Sequence, residues 1–154
     1  MKKGYALFFL LSLVIFAVDQ ATKYLVVSRF SLFEAVNILP FFSVVYVRNT
    51  GSAFGMFKSL GNAFFIAAAA IAIAVVAVLI VRNREGRFGL SLILGGAAGN
   101  MADRLIRGYV VDFLDFYAGG RHWPAFNVAD SALTVGIGLL LLQSFLHGGS
   151  GRTH

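Results

Sequence analysis

Residues 62–81 contain no charged side chain and are built almost wholly from Ala, Ile, Val, Leu and Phe. A run of ~20 apolar residues matches the ~30 Å hydrocarbon core of a bilayer. Little else in the chain offers a water-soluble alternative. Hydrophobic residues make up 58% of it and charged residues 13%. A soluble domain this small has a large surface to cover, and thirteen Lys and Arg with seven Asp and Glu are too few to solvate it. At 154 residues the length suits a single domain.

Three further stretches read as spans. Residues 5–27 are apolar but interrupted by Asp19, Gln20 and Lys23. Residues 88–107 run into Asn100, Asp103, Arg104 and Arg107. Residues 125–146 carry Asp130 near their start. Lys2 and Lys3 followed by an apolar stretch also resemble a cleavable leader, yet no small-x-small site follows, so a retained span is expected. Lys2 and Lys3 lead the chain, and Arg82, Arg84 and Arg87 crowd the link between spans two and three. By the positive-inside tendency both termini are expected in the cytoplasm, although Arg29, Arg48, Lys58, Arg107 and Arg121 fall on the other side.

The outer segments, 28–61 and 108–124, are expected to do more than connect. The first is too long for a simple loop. Its Phe41–Val47 stretch is β-branched and aromatic, hence strand-like, and Asn49-Thr50-Gly51 reads as a turn. The second outer segment is rich in aromatics suited to a membrane interface. The fold class is therefore an α-helical membrane protein, with four transmembrane helices and a small extracytoplasmic β-sheet resting on the outer leaflet.

All five Asp residues, 19, 103, 112, 115 and 130, lie in a span or in the second outer segment. Ionisable groups at membrane depth are costly and mark function. At ~1.5 Å per residue, Asp19, Asp103 and Asp130 all fall in the outer half of the membrane. Asp19 and Lys23 share a helix face and can pair structurally, as can Asp103 and Arg107. Arg104 can snorkel. Asn127 can cap span four, leaving Asp130 in its first turn. Asp112 and Asp115 can be ordinary head-group-region acids. Gly95 and Gly99 form a GxxxG spacing, which more often serves close helix packing than chemistry.

The absence of cysteine excludes disulfides and thiol catalysis. His122, His147 and His154 lack metal-ligand spacing, so neither a metal nor a cofactor is expected. The net charge of +6 suits anionic head groups of membrane lipids and forms no basic stripe for nucleic acid. Two carboxylates, in contrast, suffice for peptide hydrolysis. Placed close together they share one proton, so that one serves as base on water while the other polarises the carbonyl. Depth and spacing alone leave several such pairs open.

The polar segments resemble those of lipoprotein signal peptidase, or signal peptidase II. The matching stretches are Asp19-Gln20-Ala21-Thr22-Lys23, Arg48-Asn49-Thr50-Gly51-Ser52-Ala53-Phe54-Gly55, Gly99-Asn100-Met101-Ala102-Asp103-Arg104, Val111-Asp112-Phe113-Leu114-Asp115-Phe116 and Phe126-Asn127-Val128-Ala129-Asp130. They occur in the family's order along most of the chain. The resemblance implies an aspartic endopeptidase of the bacterial cytoplasmic membrane, acting on prolipoproteins just before a diacylglyceryl-modified cysteine. It implies Asp112 and Asp130 as the catalytic dyad, and Asn49, Asn100, Arg104 and Asn127 as groups that hold substrate or support the dyad. Asp19 and Lys23 fall to architecture. It also implies inhibition by the cyclic peptide globomycin. A transporter would spread its acids across the bilayer, whereas span two has none. A non-enzymatic scaffold leaves the Asp-rich outer segment unexplained.

Overall fold

The computed structural model describes residues 4–51 and 61–148. Lys2, Lys3, Lys58, residues 52–55 of the second matching stretch and the tail with His154 lie outside them. The order of elements is α1 (Ala6–Arg29), β1 (Ala35–Leu39), β2 (Phe42–Asn49), α2 (Gly61–Arg82), α3 (Arg87–Arg107), β3 (Val110–Ala118), β4 (Arg121–His122) and α4 (Val128–Gly148). Among the described residues three helices are long and apolar enough to cross a membrane: α1, α2 and α4. The polar last turns of α3 keep it out of that set.

The helices turn their apolar side chains outward. Leu10 and Leu13 of α1, Ile71 and Val75 of α2, and Leu142 and Phe145 of α4 are all exposed. In water such a surface is unfavourable, whereas against lipid it is matched. Polar residues are buried instead, among them Ser12, Asp19, Lys23, Ser91, Asn100 and Asp103.

Helix α3 packs against the other three helices, and its small residues decide how closely. A Cβ on Gly95 would lie 2.6 Å from the Ser12 carbonyl oxygen of α1. One on Gly96 would lie 2.5 Å from the Ala129 carbonyl oxygen of α4. One on Gly99 would run into the Asp19 carboxylate. The GxxxG face thus seats α1, and the neighbouring glycine seats α4. The room that these small residues leave is filled by helices. α3 ends at Gly108, whose φ of 79° is the left-handed conformation of a helix C-terminus.

A four-stranded antiparallel sheet, ordered β1-β2-β3-β4, lies at one end of the helices. It follows the ends of α1 and α3 and precedes α4 in the chain. β3 and β4 pair through Tyr117 and His122 around Gly119-Gly120. Both glycines have positive φ, as a two-residue hairpin loop of this twist requires. Val111 and Phe113 pack on Val26 and Tyr46, fixing the sheet to the end of α1.

Adding a methyl group at the tightest of these contacts tests the packing. Gly95→Ala is expected to cost ~1–3 kcal/mol through overpacking, read as a lower unfolding midpoint in detergent micelles. An unshifted midpoint would mean that α1 and α3 sit farther apart.

Candidate active site

Side chains alternate along a strand. With Val111 and Phe113 facing the core of the sheet, Asp112 must face the other way, toward the helix ends. There it is 2% exposed. Both of its oxygens accept from amides. Asn127 Nδ2 donates to Oδ1 at 2.7 Å and Asn49 Nδ2 donates to Oδ2 at 3.0 Å. Asn49 ends β2, and its own Oδ1 accepts from the Gly51 N–H at 3.0 Å, closing the turn at residues 49–51. The two amides thus hold the Asp112 carboxylate from both sides.

Asn127 also caps α4. Its Oδ1 accepts from the Asp130 N–H at 2.8 Å, the bond that an N-cap side chain makes three residues into a helix. One fully buried amide therefore touches both aspartates, donating to the Asp112 carboxylate and accepting from the Asp130 backbone. On the far side of Asp130, Asn100 Nδ2 donates to its Oδ1 at 2.8 Å. Asn100 Oδ1 in turn accepts from Lys23 at 3.0 Å and from Asn127 at 3.3 Å. Arg104, one turn beyond Asn100, is near enough to feel the charges of both Asp130 and Asp112. Its guanidinium donates to the Asn100 carbonyl at 3.3 Å and lies 5.1 Å from the Phe65 ring centre. The guanidinium is thus folded back along α3 and against α2.

Beneath these groups lies a buried ionic cluster. Lys23 Nζ lies 2.8 Å from Asp19 and 3.0 Å from Asp103, with all three side chains at 0% exposure. Asp103 also pairs with Arg107. The remaining carboxylate valences go to backbone, the Ala129 N–H to Asp19 at 2.9 Å and the Val111 N–H to Asp103 at 3.0 Å. Every site residue singled out in the sequence thus belongs to one connected hydrogen-bond network.

Two further contacts were not expected from the sequence. Gln20 Nε2 reaches Asp19 and the Gly99 carbonyl, each at 3.1 Å. Asp115, buried, meets Nδ1 of His122 at 2.9 Å. The Gly119-Gly120 pair carried that information, since a two-residue hairpin loop brings β4 back beside β3. Among the described residues no group of three or more His, Asp or Glu side chains is arranged to hold a metal.

Residues 11–146 match the family described as signal peptidase (SPase) II. The lipoprotein signal peptidase of Actinobacillus succinogenes is 49% identical, over 96% of each chain. That of Thermodesulfovibrio yellowstonii is 47% identical, over 85% of this chain and 89% of its own. A solved structure described as a bacterial membrane enzyme superposes with a TM-score of 0.85 at 29% identity, covering 100% of this chain and 97% of that one.

Burial first, and then the charge of Asp130, push the Asp112 carboxyl from an ordinary 3.8 up to about 7, against the pull of its amide donors. The folded chain therefore binds this proton more tightly than the unfolded chain does. The group's contribution to stability is full below 3.8 and is lost as pH rises through about 7. Asp112→Asn should remove that slope. The variant is expected to melt above the parent at neutral and higher pH, with the gap closing toward about pH 4. A gap that does not change with pH in thermal unfolding would contradict the burial of this carboxyl.

Proposed function

The chain belongs to the signal peptidase II family of aspartic peptidases, and from that premise we propose that it removes signal peptides from prolipoproteins with Asp112 and Asp130 as the catalytic dyad. The observation that carries the assignment is the Asn127 amide. It donates to the Asp112 carboxylate and caps the Asp130 backbone, so one rigid group orients two acids whose charges interact.

With the Asp112 carboxyl titrating at about 7, the pair retains one proton under neutral conditions. The ionised carboxylate takes a proton from water, and the water oxygen attacks the scissile carbonyl. The protonated carboxyl donates to the carbonyl oxygen as charge develops there. Collapse of the tetrahedral intermediate breaks the C–N bond, and a proton passes to the leaving nitrogen. No cofactor enters the scheme.

The finer reading follows from the same network. The substrate is a prolipoprotein carrying a diacylglyceryl cysteine, cut just before that residue. Its acyl chains stay in the lipid while its backbone reaches the dyad at the end of the helices. Asn49, Asn100 and Asn127 support the dyad. Arg104, an obligate donor, holds a substrate carbonyl. Asp19, Lys23, Asp103 and Arg107 are architectural. α3 is the fourth span, with Asn100 and Asp103 of its polar stripe buried against α1, α4 and β3. The whole chain acts as one peptidase unit of the bacterial inner membrane, with both termini cytoplasmic and the sheet cradling substrate at the outer face. Globomycin competes for that site, and membrane lipids surround it.

Cleavage of a diacylglyceryl-modified precursor by the purified protein tests the reading. Asp112→Asn and Asp130→Asn are each expected to lower the rate ~100-fold or more while the protein remains folded. A parental rate in either folded variant would reject the dyad. Arg104→Ala is expected to weaken globomycin binding about tenfold. Unchanged affinity would remove Arg104 from the site.

A further inference from the structure

We propose that Lys23 is a positioning residue of the dyad, setting the separation of Asp112 and Asp130 through two carboxylates that each grip the backbone amide immediately before one of them. This rests on the dyad reading above and assigns Lys23 a role in turnover beyond architecture.

The bonds are arranged in two parallel arms. In one, Lys23 pairs with Asp19 at 2.8 Å, and Asp19 Oδ1 accepts from the N–H of Ala129, the residue before Asp130, at 2.9 Å. In the other, Lys23 pairs with Asp103 at 3.0 Å, and Asp103 Oδ2 accepts from the N–H of Val111, the residue before Asp112, at 3.0 Å. The third ammonium donor goes to Asn100 Oδ1 at 3.0 Å, and Asn100 then donates to the Asp130 carboxylate at 2.8 Å. An ammonium has three donors. Through one further residue, one of the three leads to the Asp130 carboxylate and the other two to the backbone N–H immediately before Asp130 or Asp112.

Stability alone is a weak reason for such a device. Removing an ammonium and two carboxylates from solvent is costly, and well-packed apolar residues often serve stability as well or better. The destinations of the bonds are the distinguishing feature. α4 and β3 are separate elements, and Val111 and Ala129 are anchored to the same cation. The glycine at position 99 keeps the first arm open, since a Cβ there would meet the Asp19 carboxylate and lie 3.4 Å from the Ala129 Cβ.

The charge matters as well as the geometry. The groups around Lys23 are Asp19 on α1, Asp103, Arg104 and Arg107 on α3, Asp112 on β3 and Asp130 on α4. The Lys23 charge favours the ionised form of Asp112 and so opposes the effect of burial. Removing it raises the pH at which Asp112 loses its proton.

Steady-state cleavage of a diacylglyceryl-modified precursor by full-length Lys23→Met protein in detergent, across pH, tests the inference. A folded variant should lose ~100-fold in kcat, as for a small displacement of reacting groups. KM should stay within about threefold, and the acidic limb of the rate profile should move to higher pH. A folded variant with parental kcat and an unmoved limb would overturn the proposal. If Lys23→Met does not fold, Asp19→Asn combined with Lys23→Met decides by the same kcat and KM criteria. That pair removes one charge of each sign and retains an acceptor for the Ala129 N–H. Failure of the dyad reading is separable, because it would appear as activity in Asp112→Asn or Asp130→Asn.

Discussion

An ammonium at 0% exposure, held between two carboxylates that are equally buried, is the constraint on which the rest of the structure depends. Such a group survives away from water only if all of its donors are used and its charge is balanced. Lys23 meets both conditions through Asp19, Asp103 and Asn100. Those acids bring α1 and α3 to a fixed register, and their remaining oxygens reach α4 and β3. Close helix approach is a precondition. The glycines of α3 supply it, since side chains at 95 and 99 would collide with the helix that carries Asp19 and Lys23.

Above that cluster, economy of polar groups governs the site. Asn127 serves as helix cap, as donor to Asp112 and as partner of Asn100. A cap is needed wherever a helix begins in a poorly hydrated place, so fixing the aspartates and starting α4 are one structural event. β3 supplies the complementary half. Its two-residue period puts Val111 and Phe113 into the core of the sheet and Asp112 toward the helix ends. Replacing this polar interior with apolar side chains would remove the unfavourable burial of Asp112 and, with it, the chemistry proposed for the pair. The site is thus kept at some cost in stability.

The outer faces of the helices follow the opposite rule. They present large apolar side chains outward, as a surface in contact with lipid must, while the aspartates of the helices, Asp19, Asp103 and Asp130, are drawn inward near the end that carries the sheet. α3 shows why composition alone understates its place. Its four polar positions, Asn100, Asp103, Arg104 and Arg107, keep it below the apolarity of a lipid-facing span, yet Asn100 and Asp103 meet partners on α1, β3 and α4, while Arg104 donates to the Asn100 carbonyl and Arg107 pairs with Asp103 within α3.

Much of this was legible in the chain itself. The uncharged run at 62–81 fixed the solvent as lipid, because twenty such residues have no other stable environment. The i,i+4 spacing of Asp19 with Lys23 and of Asp103 with Arg107 specified pairs that any helix would form. Asn127 followed by Asp130 announced a cap. The five polar stretches, in order, carried the family. Tertiary structure decided the rest, because it turns on contacts between residues far apart in the chain. Nothing local says that Lys23 meets Asp103, that Asn49 and Asn127 grip one carboxylate from two sides, or that Asp115 finds His122. Nor could spacing settle whether the glycines of α3 leave room for a substrate or admit a helix; the packing of α1 and α4 fills that space. Periodicity specifies which face a residue takes, whereas the identity of the group across from it depends on how the helices and the sheet close on one another.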